Sequence, residues 1–185
     1  MDPLHLLFQA AMEGRHEQVE EMIHANPQFI NSTDVSRQES ALHKACSRGK
    51  VAVVRLLLVH GADSAMPNRF GDTPLLLAVQ SFTKRVNLVR SLLKQRVVRQ
   101  MINHVGSEGT TALWECVYKG HPELLKMLVD AGADPIIPCN NRRNPLWYGL
   151  SPIRVARKKK MWDCIDTLKV GLCITRHTYI GILDC

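Results

Sequence analysis

The feature that most constrains the fold of this 185-residue chain is internal repetition. Four segments align with one another: "SALHKACSRGKVAVVRLLLVHGAD" from Ser40, "TPLLLAVQSFTKRVNLVRSLLK" from Thr73, "TALWECVYKGHPELLKMLVDAGAD" from Thr111 and "SPIRVARKKKMWDCIDTLKV" from Ser151. Their first residues are 33, 38 and 40 positions apart, and a fifth copy, "HLLFQAAMEGRHEQVEEMIHANP", begins at His5. A period of this length predicts an array of similar units that stack on one another.

Each copy has the pattern of two short helices. Its opening Ser or Thr is predicted to be a helix N-cap, and Pro74 and Pro152 fall at the first helical position, where the missing N–H costs nothing. A large and a small residue then share one helical face, as in the pairs Leu42 and Ala45, Leu75 and Ala78, Leu113 and Cys116, and Ile153 and Ala156. The small residue permits close stacking. Glycines are predicted to end the first helix (Gly14, Gly49, Gly120) and the second (Gly61, Gly132).

With these motifs the chain resembles an ankyrin-repeat protein. The resemblance rests on the "S/T-A/P-L-x-x-A/C" starts, the helix-ending glycines, "LLLVHGAD" and "MLVDAGADP". It implies an all-α solenoid of stacked helix pairs with short β-hairpin fingers. The ankyrin-repeat domain would cover residues 1–170, with repeats at about 3–31, 32–64, 65–102, 103–134 and 135–170. Two copies depart from the pattern, since Phe82 and Lys160 stand where the glycine that ends the first helix belongs.

The resemblance implies a binding module, with finger tips and the exposed side of each first helix as the binding surface. We therefore expect partner contacts from Arg37, Arg48, Arg69, Phe70, Tyr118, Lys119, Arg142, Arg143, Trp147, Tyr148, Lys158 and Lys159. The same carry-over includes Glu39, Ser47, Asp72, Gln80 and Glu108. Trp, Tyr and Arg are the residues that most often dominate binding at protein interfaces.

The last finger is longer than the others. Gly61 and Thr73 are 12 positions apart, whereas Gly132 and Ser151 are 19 apart, so seven residues have been added. The extra segment contains the turn formers Asn140-Asn141 and Asn144-Pro145, and long loops on rigid scaffolds often carry function. Trp147 and Tyr148 could contact a partner or pack the finger on its neighbour, and the sequence leaves both roles open.

The excess positive charge also lies near this finger. The chain has 24 Lys and Arg against 17 Asp and Glu, and residues 135–162 contain seven bases and no acid, which accounts for the net charge of +7. We expect a protein partner that presents an acidic segment. Nucleic acid is the alternative partner for the basic patch 142–160, but the sequence contains none of the usual nucleic-acid motifs. We expect the chain to be monomeric on its own.

Catalytic, metal and cofactor sites are not predicted. The eight histidines are scattered, with no HExxH motif and no Cys/His group at zinc spacing, and no Gly-rich phosphate loop occurs. His43 and His121 occupy ankyrin positions where a structural hydrogen bond is expected. Cys46 and Cys116 occupy the small-residue positions and should be buried and inert.

The tail 171–185 is rich in apolar residues, and we expect it to cap the last helix pair. It also resembles the start of a SOCS box, in which Leu172, Cys173 and Arg176 match, and this would make the chain a substrate-recognition adaptor of a ubiquitin ligase. The 15 residues are fewer than a whole box. The sequence has no segment apolar enough to cross a membrane and no signal-peptide pattern, so a cytoplasmic or nuclear location is expected.

Overall fold

The computed structural model describes residues 2–80 and 86–180, and the side chains of residues 174–180 lie outside this description, as does Phe82. The described chain is helical, which confirms the predicted all-α class. Its helices are α1 (Pro3–Glu13), α2 (His16–Ala25), α3 (Ala41–Arg48), α4 (Val51–Val59), α5 (Pro74–Gln80), α6 (Val86–Leu93), α7 (Arg96–Gln100), α8 (Ala112–Lys119), α9 (Pro122–Asp130), α10 (Pro152–Lys158) and α11 (Trp162–Ile180). None of the described helices is long and apolar enough to cross a membrane.

The chain divides into two compact units, Met1–Val98 and Arg99–Cys185. In the first unit α1 packs on α3 and α3 on α5, while α2 packs on α4 and α4 on α6. In the second unit α8 packs on α10, and α9 packs on α11. Within each unit the first helices therefore form one layer and the second helices another, as nearest-neighbour stacking of repeats requires.

The core of each unit lies between these layers, where the predicted pairs of large and small residues are buried. Leu42 and Ala45 of α3 are 0% exposed, and Leu113 and Cys116 of α8 are equally buried. Burial raises the pKa of the Cys116 thiol far above its ordinary range, so the thiol stays protonated and unreactive. This confirms the structural role that the sequence predicted for Cys116.

Helix caps follow the sequence pattern with one exception. The Ser40 hydroxyl accepts a hydrogen bond from the His43 N–H, and His43 Nδ1 accepts the Ser40 N–H at 3.2 Å, which gives His43 its expected structural role. Thr73 and Thr111 accept from Leu76 N–H and Trp114 N–H at 3.4 and 3.2 Å. Ser151 has the N-cap position and extended backbone, but its side chain makes no cap hydrogen bond, contrary to the prediction.

The helix-ending glycines have the predicted left-handed backbone. Gly49 and Gly120 have φ of 71° and 72°. Lys160 has the same conformation, with φ of 57°, although it carries a side chain. The N–H of Met161 donates to Ala156 O at 2.9 Å, just as the N–H of Lys50, after Gly49, donates to Ala45 O at 2.9 Å. The copy that begins at Ser151 therefore ends its first helix in the same way without the glycine.

Short fingers connect the repeats, and each is a turn closed by backbone hydrogen bonds. The N–H of Asp34 donates to Glu39 O at 3.0 Å, and the N–H of Asn68 donates to Asp72 O at 2.9 Å. The described residues contain one isolated antiparallel bridge, Thr33 to Ser40, and no strand, so these fingers are shorter than the expected β-hairpins.

Each "GAD" segment is also held by a recurring hydrogen bond that the sequence did not reveal. The N–H of Asp63, in the first "GAD", donates to Asn31 Oδ1 at 2.7 Å. The N–H of Asp134, in the second "GAD", donates to Asn103 Oδ1 at 2.8 Å. Each Asp then accepts the N–H of the residue two positions later. Each "GAD" is thus tied to an asparagine side chain that lies 32 or 31 residues earlier in the chain.

The last helix is longer than the sequence indicated. α11 continues to Ile180, past residue 170 where the last repeat was expected to end. Gly171, at which the tail was predicted to begin, lies inside the helix, and a Cβ there would be 3.1 Å from a methyl carbon of Val129. The glycine therefore permits close approach of α11 to α9 instead of ending the helix.

A charged network stabilises the finger that contains Asp34 and Glu39. Lys44 Nζ lies 2.5 Å from Asp34 Oδ2 and 3.5 Å from Glu39 Oε2, and all three side chains are less than a fifth exposed. Burial alone would raise the pKa of Asp34, but hydrogen bonds from Lys44, the Arg37 N–H and Ser36 outweigh it and lower that pKa below its ordinary value.

We predict that Asp34→Asn lowers the free energy of unfolding at pH 7 by about 2 kcal/mol, because a hydrogen-bonded charge pair is lost. The carboxylate of the wild type is more acidic when folded, so its stabilisation is full above the ordinary Asp pKa of about 3.9 and disappears as the pH falls further. Urea denaturation of both proteins at several pH values checks this. A difference that does not shrink at low pH would contradict the assignment to Asp34.

We also predict that Lys160→Gly raises the free energy of unfolding by about 0.5–1 kcal/mol, since glycine adopts the left-handed conformation without strain. Arg157→Gly is the matched control. It lies one turn earlier inside α10, where the same change should lower the stability by about 1 kcal/mol. Chemical denaturation measures both, and a stability loss in Lys160→Gly would be inconsistent with the observed backbone.

Candidate functional site

The predicted binding residues fall in both units. In the first unit, Arg37 and Arg48 line one groove of about 430 Å³ together with Glu39, Lys44 and Ser47. Arg37 is 66% exposed and lies 3.9 Å from Glu39, so its charge is partly offset there. The groove therefore has both basic and acidic walls.

Arg69 and Phe70 are on the next finger of the first unit. The N–H of Arg69 donates to Arg37 O at 2.8 Å, and its guanidinium donates to Val35 O at 3.2 Å, which joins the two fingers. Phe70 is 52% exposed. Asp72, at the base of the same finger, is buried. The structure thus places Arg37 beside Arg69 on the neighbouring finger and beside Arg48 at the end of α3.

In the second unit the long finger, residues 139–150, leaves the stacked helices and returns to them, as predicted. The N–H of Cys139 donates to Leu150 O at 3.1 Å and the N–H of Gly149 donates to Cys139 O at 2.8 Å, which closes the loop at its base. The segment between them has turn hydrogen bonds from Asn144 and Trp147 N–H groups. Cys139 is 2% exposed, so the base is anchored in the core.

The finger that contains Glu108 and Gly109 supports one side of the long finger. The N–H of Asn140 donates to Gly109 O at 2.9 Å, and Asn141 Nδ2 donates to Glu108 Oε2 at 3.0 Å. Gly109 has φ of +65°, and a Cβ there would be 2.6 Å from the Asn141 nitrogen. Only a residue without a side chain allows this contact, so Gly109 helps to position the long finger.

The other side of the finger rests on a cluster of aromatic and lysine side chains, which we call the aromatic–lysine cluster (Trp114, Tyr118, Trp147, Lys158 and Lys159). Trp114 and Tyr118 of α8 stack with ring centroids 5.1 Å apart. Trp147 meets both rings edge-on, at 6.2 and 5.4 Å. Trp114 Nε1 donates to Leu150 O at 2.9 Å. Trp147 therefore packs the finger on the neighbouring repeat, and its contact with a partner stays a prediction.

The two lysines complete the cluster from the end of α10. Lys158 Nζ lies 4.8 Å from the centre of the Trp147 ring and donates to Leu146 O at 3.2 Å. Lys159 Nζ lies 4.4 Å from the Tyr118 ring centre and donates to Tyr118 O. Cation–π contacts of this kind stabilise by about 0.5–1 kcal/mol at exposed sites. The two ammonium groups thus hold their positions on the aromatic surface.

Lys119 has a different environment from the other predicted lysines. Its side chain is 14% exposed, and its ammonium lies 3.9 Å from Glu115, which is buried and accepts a hydrogen bond from Thr110 at 2.7 Å. Burial lowers the pKa of Lys119, while Glu115 opposes this shift. Its charge therefore serves chiefly to compensate a buried carboxylate.

The exposed face of the long finger includes three residues that the sequence predicted. Arg142, Arg143 and Tyr148 are exposed, Tyr148 by 48%. Arg142 and Arg143 line a polar groove of about 580 Å³ with Ser107, Glu108 and Asn140. Leu146, which the sequence did not single out, is 69% exposed beside them. The finger thus presents two guanidinium groups, a phenol and an apolar side chain to solvent.

Trp114 is the important residue that sequence reasoning missed. It follows Thr111 by three positions, as His43 follows Ser40, so the two are equivalent in the repeat. His43 caps its own helix, whereas Trp114 is 4% exposed and donates to the long finger. The available signal was a tryptophan at this position in the repeat that precedes the longest finger.

Family comparisons agree with this geometry. A model of ankyrin repeats in three copies matches residues 7–100, and a single ankyrin-repeat model matches residues 108–140. The chain belongs to the ankyrin-repeat family. Ankyrin repeats form a protein-interaction fold, so the chain is a protein-interaction module.

Three relatives illustrate the family's range. The ankyrin-repeat chain is 32% identical over 108 residues to the serine/threonine-protein kinase TNNI3K of Mus musculus. The aligned residues make up 57% of this chain and 13% of the kinase. It is 33% identical over 99 residues to the E3 ubiquitin-protein ligase KEG of Arabidopsis thaliana, 52% of this chain and 6% of KEG. It is 36% identical over 103 residues to ankyrin repeat domain-containing protein 13B of Homo sapiens, 54% of this chain and 16% of that protein.

The chain spans only a small part of these relatives, 6–16% of their lengths. The similarity to the kinase and to the ligase therefore concerns repeats, and it assigns neither of their activities to this chain.

We predict that Trp147→Ala lowers the free energy of unfolding by about 2 kcal/mol, roughly half of the loss for a buried tryptophan, because Trp147 is half-buried. Hydrogen exchange should also become faster in residues 139–150. Trp162→Ala is the matched control, since Trp162 is 67% exposed and its loss should change stability by less than about 0.5 kcal/mol. Equal effects of the two changes would contradict the packing role of Trp147.

Proposed function

We propose that the chain is a non-enzymatic adaptor or inhibitor, acting in the cytoplasm or nucleus, that captures a protein with an acidic segment. The contact is made by the long finger and the lysine end of α10. The observation that carries the proposal is the combination of a closed, packed finger base with an exposed tip that holds Arg142, Arg143, Leu146 and Tyr148.

Charge supports an acidic partner. Residues 135–162 contain seven bases and no acid, and the rest of the chain is balanced. Arg142, Arg143, Arg154, Arg157, Lys158, Lys159 and Lys160 are all exposed. The positive potential of these residues accelerates association with an acidic protein surface and disfavours association with a basic one. Guanidinium groups also bind carboxylates with two parallel hydrogen bonds.

The exposed apolar groups give the surface a second means of recognition. Tyr148 and Leu146 are 48% and 69% exposed at the tip. Tyr and Arg are frequent among the residues that contribute most to binding at interfaces. Because the base of the finger is fixed by Trp114 and Trp147, less conformational entropy is lost when a partner orders the tip.

The first unit supplies a second candidate surface. Arg37, Arg48 and Arg69 lie on neighbouring fingers and helix ends, and Phe70 is half exposed beside Arg69. We propose that these residues also contact the partner, in a smaller and more mixed-charge area.

The test is affinity purification of the tagged chain from cells with quantitative mass spectrometry. The variant Arg142→Ala/Arg143→Ala/Tyr148→Ala removes only exposed side chains, so its melting temperature should stay close to that of the wild type. We expect recovery of specific proteins with acidic segments to fall at least about tenfold. Unchanged recovery would refute the finger as the binding site.

The matched control is Arg96→Ala/Val97→Ala/Arg99→Ala on α7, which also removes two charges and one exposed apolar group. It should leave recovery intact. If it reduces recovery equally, net charge rather than the finger determines capture.

Two alternative functions predict other results. A nucleic-acid protein would bind generic duplex DNA or RNA with an affinity that falls steeply with salt. A ubiquitin-ligase adaptor would co-purify with ligase subunits until residues 174–185 are deleted. The deletion begins after Gly171, because that residue packs on Val129 and its removal would disturb the last repeat.

A further inference from the structure

Two repeats of the first unit bring together three side chains that can bind a metal ion. Glu20 and His24 are four residues apart on α2 and lie on the same face of that helix. His60 is the C-cap residue directly after α4, the helix on which α2 packs. One ligand atom from each of the three side chains lies within 4.8 Å of the others.

The two imidazoles are already in contact. The ring centroids of His24 and His60 are 5.3 Å apart, with an angle of 69° between the ring planes. Glu20 and His60 are partly buried and His24 is exposed, so solvent reaches the group. It shares no residue with the groove that Arg37 and Arg48 line.

We propose that Glu20, His24 and His60 form a Zn²⁺ site that joins the first and second repeats. Two imidazoles and one carboxylate are a common donor set for zinc, with a water molecule as the fourth ligand. Bonds of about 2.0–2.1 Å in a tetrahedral site place ligand atoms about 3.4 Å apart. The distance between any two of the three ligand atoms must therefore shorten by less than about 1.5 Å, and rotation of surface side chains allows this.

The surroundings favour a cation. α2 ends at Ala25 and α4 at Val59, so the negative ends of two helix dipoles lie next to His24 and His60. Glu17 stands one turn before Glu20 on α2 and adds negative charge. Imidazole nitrogen favours zinc over magnesium or calcium, which prefer oxygen ligands.

The three residues form no recognisable metal-binding motif because they are not close together in the sequence. Two ligands are four residues apart, but the third is 36 residues further along and belongs to the next repeat. The stacking of α2 on α4 brings them together. An ion bound to both helices stabilises that contact, because binding to the folded state alone is linked to stability.

The test is calorimetric titration of the metal-free, reduced chain with Zn²⁺, with Mg²⁺ as a second probe. We expect one Zn²⁺ ion bound through Glu20, His24 and His60 at micromolar concentration, no response to Mg²⁺, and a melting temperature that rises by several degrees with Zn²⁺. His24→Ala/His60→Ala should weaken this binding at least about 100-fold, and Glu20→Gln about tenfold. Titration with Co²⁺ should give a spectrum without thiolate-to-cobalt bands.

His16→Ala is the matched control, since His16 is on the same helix but outside the group. Its Zn²⁺ affinity should equal that of the wild type. Three results would overturn the proposal: no Zn²⁺ binding by the wild type, unchanged binding by His24→Ala/His60→Ala, or an equal loss in His16→Ala. Thiolate bands with Co²⁺ would assign the ion to the cysteines instead.

Discussion

Every other feature of this chain depends on the close stacking of helix pairs on their neighbours. No single pair can bury its apolar face, and helices of seven to eleven residues such as α1 and α5 are too short to be stable alone. Stacking works because a small residue faces each neighbour, as Ala45 and Cys116 do at 0% exposure. The hydrogen bonds from Asp63 to Asn31 and from Asp134 to Asn103 then hold the two "GAD" segments, one in each unit.

The candidate binding surface is a local change to this framework. Trp114 replaces the histidine that caps the equivalent helix in the copy that begins at Ser40, and its indole holds the long finger instead. Gly109 supports the finger from the other side, where a side chain would not fit. The core therefore keeps its repeat geometry while the added residues are held in one arrangement, and the arginines and Tyr148 stay at the surface.

Much of the fold followed from the sequence, since period, caps and glycines report local backbone geometry. Those signals placed the N-caps at Ser40 and Thr111 and the long finger between Gly132 and Ser151. They did not reveal the continuation of α11 through Gly171. The sequence alone does not distinguish a glycine that allows close contact with Val129 from a glycine that ends a helix. Nor did those signals show that Trp147 packs on Trp114, since that contact joins two repeats. They also did not show that Glu115, one turn before Lys119 on α8, is a buried carboxylate that this lysine pairs with.

The central claim is that the packed finger presents its exposed tip to a protein partner. The most direct measurement is photo-crosslinking in cells with a photoreactive phenylalanine analogue at position 148 in one protein and at position 59 in another. Tyr148 lies at the tip, and Val59, which is 83% exposed, lies on α4 of the first unit. The account predicts a discrete crosslinked partner from position 148 and none from position 59. The same partner crosslinked from position 59, with none from position 148, would contradict it.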